Sequence, residues 1–240
     1  MWPFARARAV KFSIMWTKAF CRLPLVGICL AVIGCGGDPV GELITQLERG
    51  NVSQRRAAAQ ALGERPEADD RIVAALTKSA SDPNAEVRHV SIRALGVMGR
   101  AAKSSLPALE ASLDDADARV RVRAALAIQK IDSQNRSFAR VLIGAMRAGD
   151  GRVLLEVGEM GAAGAWAVPT LAELLSHESA KMRSLAARTV GRIGPAAGEA
   201  KPALRRAMGD ANVAVQDAAR EALERIDAQQ AAHREDASGR

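Results

Sequence analysis

"GPAAGEAKPAL" spans Gly194–Leu204, "GAAGAWAVPTL" spans Gly161–Leu171 and "GRAAKSSLPAL" spans Gly99–Leu109. In each, a proline follows the glycine by eight residues and a leucine follows the proline by two. A clause written three times in one chain marks a structural repeat, and a repeat decides the fold before any local reading does.

Working outward, the leucine recurs at Leu43, Leu76, Leu109, Leu142, Leu171 and Leu204, spaced 33, 33, 33, 29 and 33. A second apolar slot falls at Leu62, Leu95, Ile128, Val157, Val190 and Leu223 and keeps step with the first. Six units therefore share one period, and the fourth has lost four residues. Each unit reads as two helices. The proline (Pro107, Pro169 or Pro202) opens the first; its missing N–H has no helical partner to lose there. Leucine followed four residues later by another apolar residue, as in Leu109/Leu113 and Leu171/Leu175, gives one helical face. A polar break follows ("SDPNAE", "DDADAR", "GDANVA"), then a second helix starting near Val87, Val120 or Met182. Gly99, Gly161 and Gly194 stop that helix, as glycine does just past a C-terminus. The repeated clause is thus the joint between one unit and the next.

Composition agrees. Of 240 residues, 48% are hydrophobic, mostly Ala, Leu and Val, and 3% are aromatic. Ala and Leu are strong helix formers. A single helix pair cannot bury its own apolar face, whereas stacked pairs bury a continuous core. Paired alanines at Ala58–Ala59, Ala124–Ala125, Ala186–Ala187 and Ala218–Ala219 suit close helix approach. The expectation is an all-α solenoid of about six two-helix repeats over residues 41–228.

A 33-residue period also fits ankyrin, and tetratricopeptide repeats are close to it. No T-P-L-H occurs, however, and the chain has no tyrosine. The form D-x4-V-R-x2-A-A-x-A-L-G-x-I-G, carried best by Asp82–Gly99 and Asp115–Asp132, resembles HEAT repeats, particularly the short variety of phycobilisome lyases. The resemblance covers Gly41–Asp227 and implies a right-handed superhelical stack whose second helices line the concave face. It speaks for the fold and hardly for an activity.

Departures from the repeat carry their own readings. Gln54 in an apolar slot of unit one, and Gln216 with the acidic residues around it in unit six, read as solenoid caps. In unit four, Val153 and Val157 are four apart where the equivalents are eight apart, so one helical turn is missing. Gly144, Gly149, Gly151, Gly158, Gly161 and Gly164 crowd there, so this unit is expected to be the weak joint. Residues 229–240 read as a tail that frays.

The net charge of +7 is misleading as a sign of nucleic-acid binding. Arg6, Arg8, Lys11, Lys18 and Arg22 lie in residues 1–34, which hold no acid, leaving +2 for the rest. Beyond residue 34 only Phe138 and Trp166 are aromatic, too few for a base-stacking platform. The basic lead is followed by the apolar run Leu23–Gly34, far short of the roughly 20 residues of a spanning helix. Basic flank, short apolar run and small residues describe a secretory signal over 1–34. Met15 offers a start that leaves a lead-in of ordinary length.

"VIGC" (Val32–Cys35) resembles a bacterial lipobox, which implies cleavage before Cys35 and its acylation. Residues 35–40 would then be a lipidated tether, and Gly36 behind the cysteine does not favour inner-membrane retention. All three cysteines lie within the first 35 residues, so this reading leaves the mature chain without a disulfide.

Chemistry-bearing constellations are sparse. Arg55, Arg88, Arg121 and Arg183 hold one repeat position, and a ladder to loop carboxylates such as Asp82 and Asp115 is the expected role. Arg93, Arg123, Lys130, Arg188, Arg192 and Arg225 on second helices would form a basic stripe for an acidic protein partner. Of the three histidines, only His177 is followed by glutamate; a HEAT-like di-iron site needs several such pairs. No glycine-rich phosphate loop follows a strand, and no small-molecule substrate, metal or other cofactor is indicated. The expectation is a lipid-anchored, non-enzymatic protein-binding scaffold of the bacterial cell envelope. A lyase-like enzyme or accessory subunit, and a plain envelope spacer, are the alternatives.

Overall fold

The polar breaks decide where each second helix starts. In "SDPNAE", the Asn84 side chain accepts the N–H groups of Glu86 and Val87, and the chain turns helical at Ala85. Asp117, Asp150 and Asn212 cap the equivalent helices in the same way, each accepting the N–H two residues on. A capping side chain of this kind is typically worth about 1 kcal/mol. Asn51 and Gln54 cap reciprocally, so the glutamine in the apolar slot of unit one belongs to a capping box.

The computed structural model describes residues 38–65 and 69–238, with side chains to 231. The proposed signal over 1–34, the alternative start at Met15 and the acylation of Cys35 lie outside the described residues. Among the described residues twelve α-helices form six pairs: α1 (Pro39–Arg49) with α2 (Val52–Gly63), α3 (Asp70–Ser79) with α4 (Ala85–Met98), and α5 (Leu106–Ala111) with α6 (Ala118–Ile131). Then follow α7 (Ala139–Arg147) with α8 (Gly151–Glu159), α9 (Val168–Leu174) with α10 (Ala180–Ile193), and α11 (Lys201–Ala207) with α12 (Val213–Ser238). No strand occurs among the described residues, and the pairs stack as an α-solenoid.

The joints are more structured than a glycine stop and a proline start. Gly99, Gly161 and Gly194 have φ of 56°, 53° and 74°, a region open to glycine. Each opens a seven-residue stretch of 3-10 turns (Gly99–Ser105, Gly161–Ala167, Gly194–Ala200), kinked at Ala102 in the first and at Ala197 in the third. The next helix begins one residue before the proline, at Leu106, Val168 or Lys201, so the proline occupies the second helical position and not the first. Its N–H would be unpaired at either position, so the sequence signal is the same.

Both repeat slots are fully buried within the stack, from Leu62 to Leu204. At the ends, Leu43 and Leu223 are only partly buried, because each lacks a neighbouring repeat on one side. Apart from α6 and α8, which barely touch, successive second helices pack on one another far more extensively than first helices do, which puts them on the inner side of the stack. Glycine makes this possible. A Cβ on Gly63 would lie 2.5 Å from Ala94 Cβ, one on Gly96 3.1 Å from Ala127 Cβ, and one on Gly191 3.0 Å from Ala222 Cβ. The paired alanines are buried beside these contacts.

Unit four has its missing turn in α8, which has nine residues where α4, α6 and α10 have fourteen. The chain's aromatic pair sits next to it. Phe138, fully buried ahead of α7, meets Trp166 edge to face at 5.4 Å. Into the tail, α12 runs on through 229 to Ser238. The stretch holds no proline or glycine before Gly239, and it is anchored by Lys201, whose Nζ donates to Asp227 and Gln230 at 2.6 Å.

Candidate functional site

The arginines of the repeat position make bonds of two kinds. Arg88 Nε and Nη2 both donate to the Asp115 carboxylate at 2.7 Å, a bidentate pair with the following repeat. Its Nη1 turns back to the carbonyls of Asp82 and Pro83. Arg55 holds Asp82 at 2.7 and 2.9 Å, and Arg183 holds Asp210 at 2.6 and 2.8 Å. Each carboxylate also accepts the N–H two residues ahead (Asn84, Asp117 or Asn212), which sets the cap of the following helix. One side chain thus ties two repeats and orders the turn between them. Asp82 and Asp115 and their arginines are 7–17% exposed. Burial pushes both carboxyls up, but the arginine and backbone hydrogen bonds more than offset it and hold them below the ordinary range. Asp210 is lowered by Arg183 first and then by the Asn212 N–H.

Arg121 makes only half of this set. Its Nη1 donates to the carbonyls of Asp115 and Ala116 at 2.7 and 3.1 Å. Arg55, Arg88 and Arg183 each reach a carboxylate 27 residues on. At that distance from Arg121 stands Ala148. Among the described residues no carboxylate lies within 4 Å of Arg121.

The six basic residues of the expected stripe do not act alike. Lys130 and Arg192 are paired with carboxylates of α8, at 3.7 Å to Glu156 and 2.7 Å to Glu159. Acidic α8 therefore interrupts the stripe at unit four. Arg123 is half-buried, and its Nε donates to His89 Nε2 at 3.4 Å. Burial lowers the pKa of both groups; nearby arginines lower each further, opposed by Glu86 at His89 and by Glu156 at Arg123. Arg93, Arg188 and Arg225 are exposed and form no ion pair among the described residues. Two second helices also carry an exposed apolar side chain, Val97 on α4 with Arg93 and Leu155 on acidic α8.

Two clefts flank the seam between α6 and the α7–α8 turn. One, of about 510 Å³, is lined by Asp115, Arg121, Val141, Gly144 and Ala148. The other, of about 410 Å³, is lined by His89, Arg119, Arg123, Leu126, Arg152 and Glu156. Ala118, Val122, Ala145 and Ala148 belong to both. Arg119 is engaged by Glu86 and Asp117, and it holds the Asp117 carboxyl down to about 2.

Among the described residues no cluster of three or more His, Cys, Asp or Glu side chains has metal-binding geometry. His177 does not face a second histidine; its Nδ1 accepts the Ser179 N–H at 3.0 Å and it serves as a turn residue. No described helix is long and apolar enough to cross a membrane.

Stacked helix pairs, an arginine–aspartate ladder and closely approaching second helices define the α-solenoid class of repeat protein. The family model for HEAT repeats matches residues 40–129, 73–163 and 168–234, and the chain belongs to the HEAT-repeat family. No curated protein matches the sequence. Among solved structures, the complex of CpcE and CpcF of phycocyanin lyase from Nostoc sp. is similar, with TM-score 0.53 and 22% identity over 85% of this chain and 82% of that one. An engineered protein matches with TM-score 0.52 and 22% identity, over 80% of this chain and 98% of its own. These likenesses are of fold.

Proposed function

We propose that this chain is a membrane-anchored scaffold of the bacterial cell envelope that binds a protein partner and carries out no chemistry of its own. The observation that carries the binding half is the inner row of second helices. It holds exposed apolar groups (Val97, Leu155) among cations that lack an internal ion pair (Arg93, Arg188). Such a surface, held by glycine–alanine contacts between α2 and α4, α4 and α6, and α10 and α12, presents its contacts at little ordering cost on either side of unit four. The anchoring half rests on sequence: a basic lead, a short apolar run and Cys35 at the end of "VIGC". Acylated Cys35 would fix the solenoid to a membrane through a tether of about six residues.

Co-purification from native membranes, comparing the wild type with Cys35→Ala, tests both halves. The expected result is that the wild type fractionates with membranes, carries a lipid mass on Cys35 and brings down one stoichiometric protein. Cys35→Ala should be released from the membrane. Equal solubility of the two forms would refute the anchor. Absence of any stoichiometric protein would refute the scaffold in favour of a spacer, and bound bilin pigment would bring forward a role in lyase chemistry.

A further inference from the structure

Four arginines share the ladder position, and one of them has kept the arginine while its carboxylate is missing. The contrast with its neighbours fixes what is absent. Arg55, Arg88 and Arg183 each hold a carboxylate bidentately through Nε and Nη2 at 2.6–2.9 Å, with Nη1 on loop carbonyls. Arg121 keeps the Nη1 bonds to Asp115 and Ala116, so its guanidinium is oriented as in the other rungs. Its Nε and Nη2 face has no partner among the described residues, because Ala148 occupies the carboxylate position.

Elsewhere the ladder ends without loss. Unit four has Leu154 in place of an arginine, and the carboxylate position that would face it is His177, satisfied by the Ser179 N–H. Unit six has Gln216, whose amide donates to the Asp210 carbonyl. Of the four ladder arginines, Arg121 alone has no counter-ion among the described residues.

The setting is open. Arg121 and Ala148 line the same cleft of about 510 Å³, and Ala148 is exposed. The acids around it are already committed: Asp115 to Arg88, and Asp114 to Arg140 at 2.8 Å. Across the shared wall of Ala118, Val122, Ala145 and Ala148 lies the second cleft, where half-buried Arg123 has an imidazole and no carboxylate within 4 Å. Arg152 lines that cleft too, beside Asp150 and Glu156, which cap α8 and pair with Lys130 respectively.

We propose that the Arg121 rung is completed in trans: an acidic segment of a partner protein lays a Glu or Asp carboxylate against Arg121 Nε and Nη2, crosses the small-residue wall and meets Arg123 with a second carboxylate. This deepens the scaffold reading and rests on it. Arginine suits the role because its planar fork is already oriented by two carbonyls, so a bidentate carboxylate gains two charge-assisted bonds at little cost in order. Ala148 and its neighbours are small enough for a backbone to approach closely.

The test uses the full chain and an acetylated, amidated octaglutamate peptide, with affinity read by isothermal titration calorimetry at two ionic strengths. Ala148→Asp supplies the missing carboxylate internally. It should raise the melting temperature and weaken peptide binding by about ten-fold or more, whereas Arg121→Gln should weaken binding without the stabilisation. Arg206→Gln, at an exposed position of first helix α11 and outside the seam, should leave affinity within about two-fold. Peptide binding unchanged by Ala148→Asp but lost with Arg188→Gln would overturn this site while leaving the scaffold reading intact. No binding by the wild type, or binding to anionic phosphatidylglycerol vesicles in its place, would also overturn it.

Discussion

The closeness of the second helices can be tested by adding one methyl group at two glycines that differ only in surroundings. Gly191, buried in α10, would carry its Cβ 2.9 Å from Ala222 Cα and 3.0 Å from Ala222 Cβ. Relaxed carbon–carbon contacts lie at roughly 3.5–4.0 Å, so α12 must retreat by about half an ångström to one ångström. Overpacking of this size costs about 1–3 kcal/mol. Gly144, exposed in α7, would place its Cβ with nothing within 4 Å. Both substitutions gain the same helix propensity, about 1 kcal/mol. In the difference between Gly191→Ala and Gly144→Ala, propensity cancels and the packing penalty remains. Gly144→Ala should therefore melt above the wild type and Gly191→Ala below Gly144→Ala, separated by roughly 2–12 °C at about 2–4 °C per kcal/mol for a chain of this size. Thermal unfolding followed by far-ultraviolet circular dichroism reads the separation. Hydrogen exchange should show the loss in α10 and α12 first, since a solenoid transmits strain to neighbours. Equal shifts in the two variants would refute the argument that glycine is there to let these helices touch.

The ladder predicts acid sensitivity. Asp82, Asp115 and Asp210 have folded-state pKa values below the ordinary carboxylate value, so their contribution is full above about pH 4 and is lost as pH falls through the folded values. Melting temperature should be level from pH 7 to about 5 and fall below about 4, and Arg88→Gln should flatten that fall; an unaltered slope would exclude the Arg88–Asp115 rung as a source. Unit four should exchange its amides faster than its neighbours. Its α8 is one turn short, and its joint and turn carry positive-φ glycines at Gly149 and Gly161. Protection in α7 and α8 equal to that in α4 and α10 would show that the Phe138–Trp166 contact makes up for the missing turn.

Much of this architecture is written in the chain. The 33-residue spacing of two apolar slots marked six helix pairs, and the slots are the buried positions of the stack apart from Leu43 and Leu223 at its ends. Periodicity carries this information because burial of one helical face recurs with every repeat. The polar breaks were legible for the same reason, since a cap needs a particular side chain at a particular offset. Even the loss of a turn in α8 could be counted from Val153 and Val157.

What tertiary structure decided is which residues meet. Arg55, Arg88 and Arg183 each reach forward 27 residues, and a pattern of local spacings does not say which of two nearby aspartates caps a helix and which binds the neighbour. Gly63, Gly96 and Gly191 read as ordinary helix glycines until their distance to the next second helix is known. The basic stripe looked continuous along the chain, yet Glu156 and Glu159 of the shortened helix reach both of its neighbours and break it. Arg121 has the same sequence signature as Arg88. Its missing counter-ion shows only once the stack places Ala148 in the carboxylate position, because a pairing between repeats is a property of how helices stack and not of any one helix.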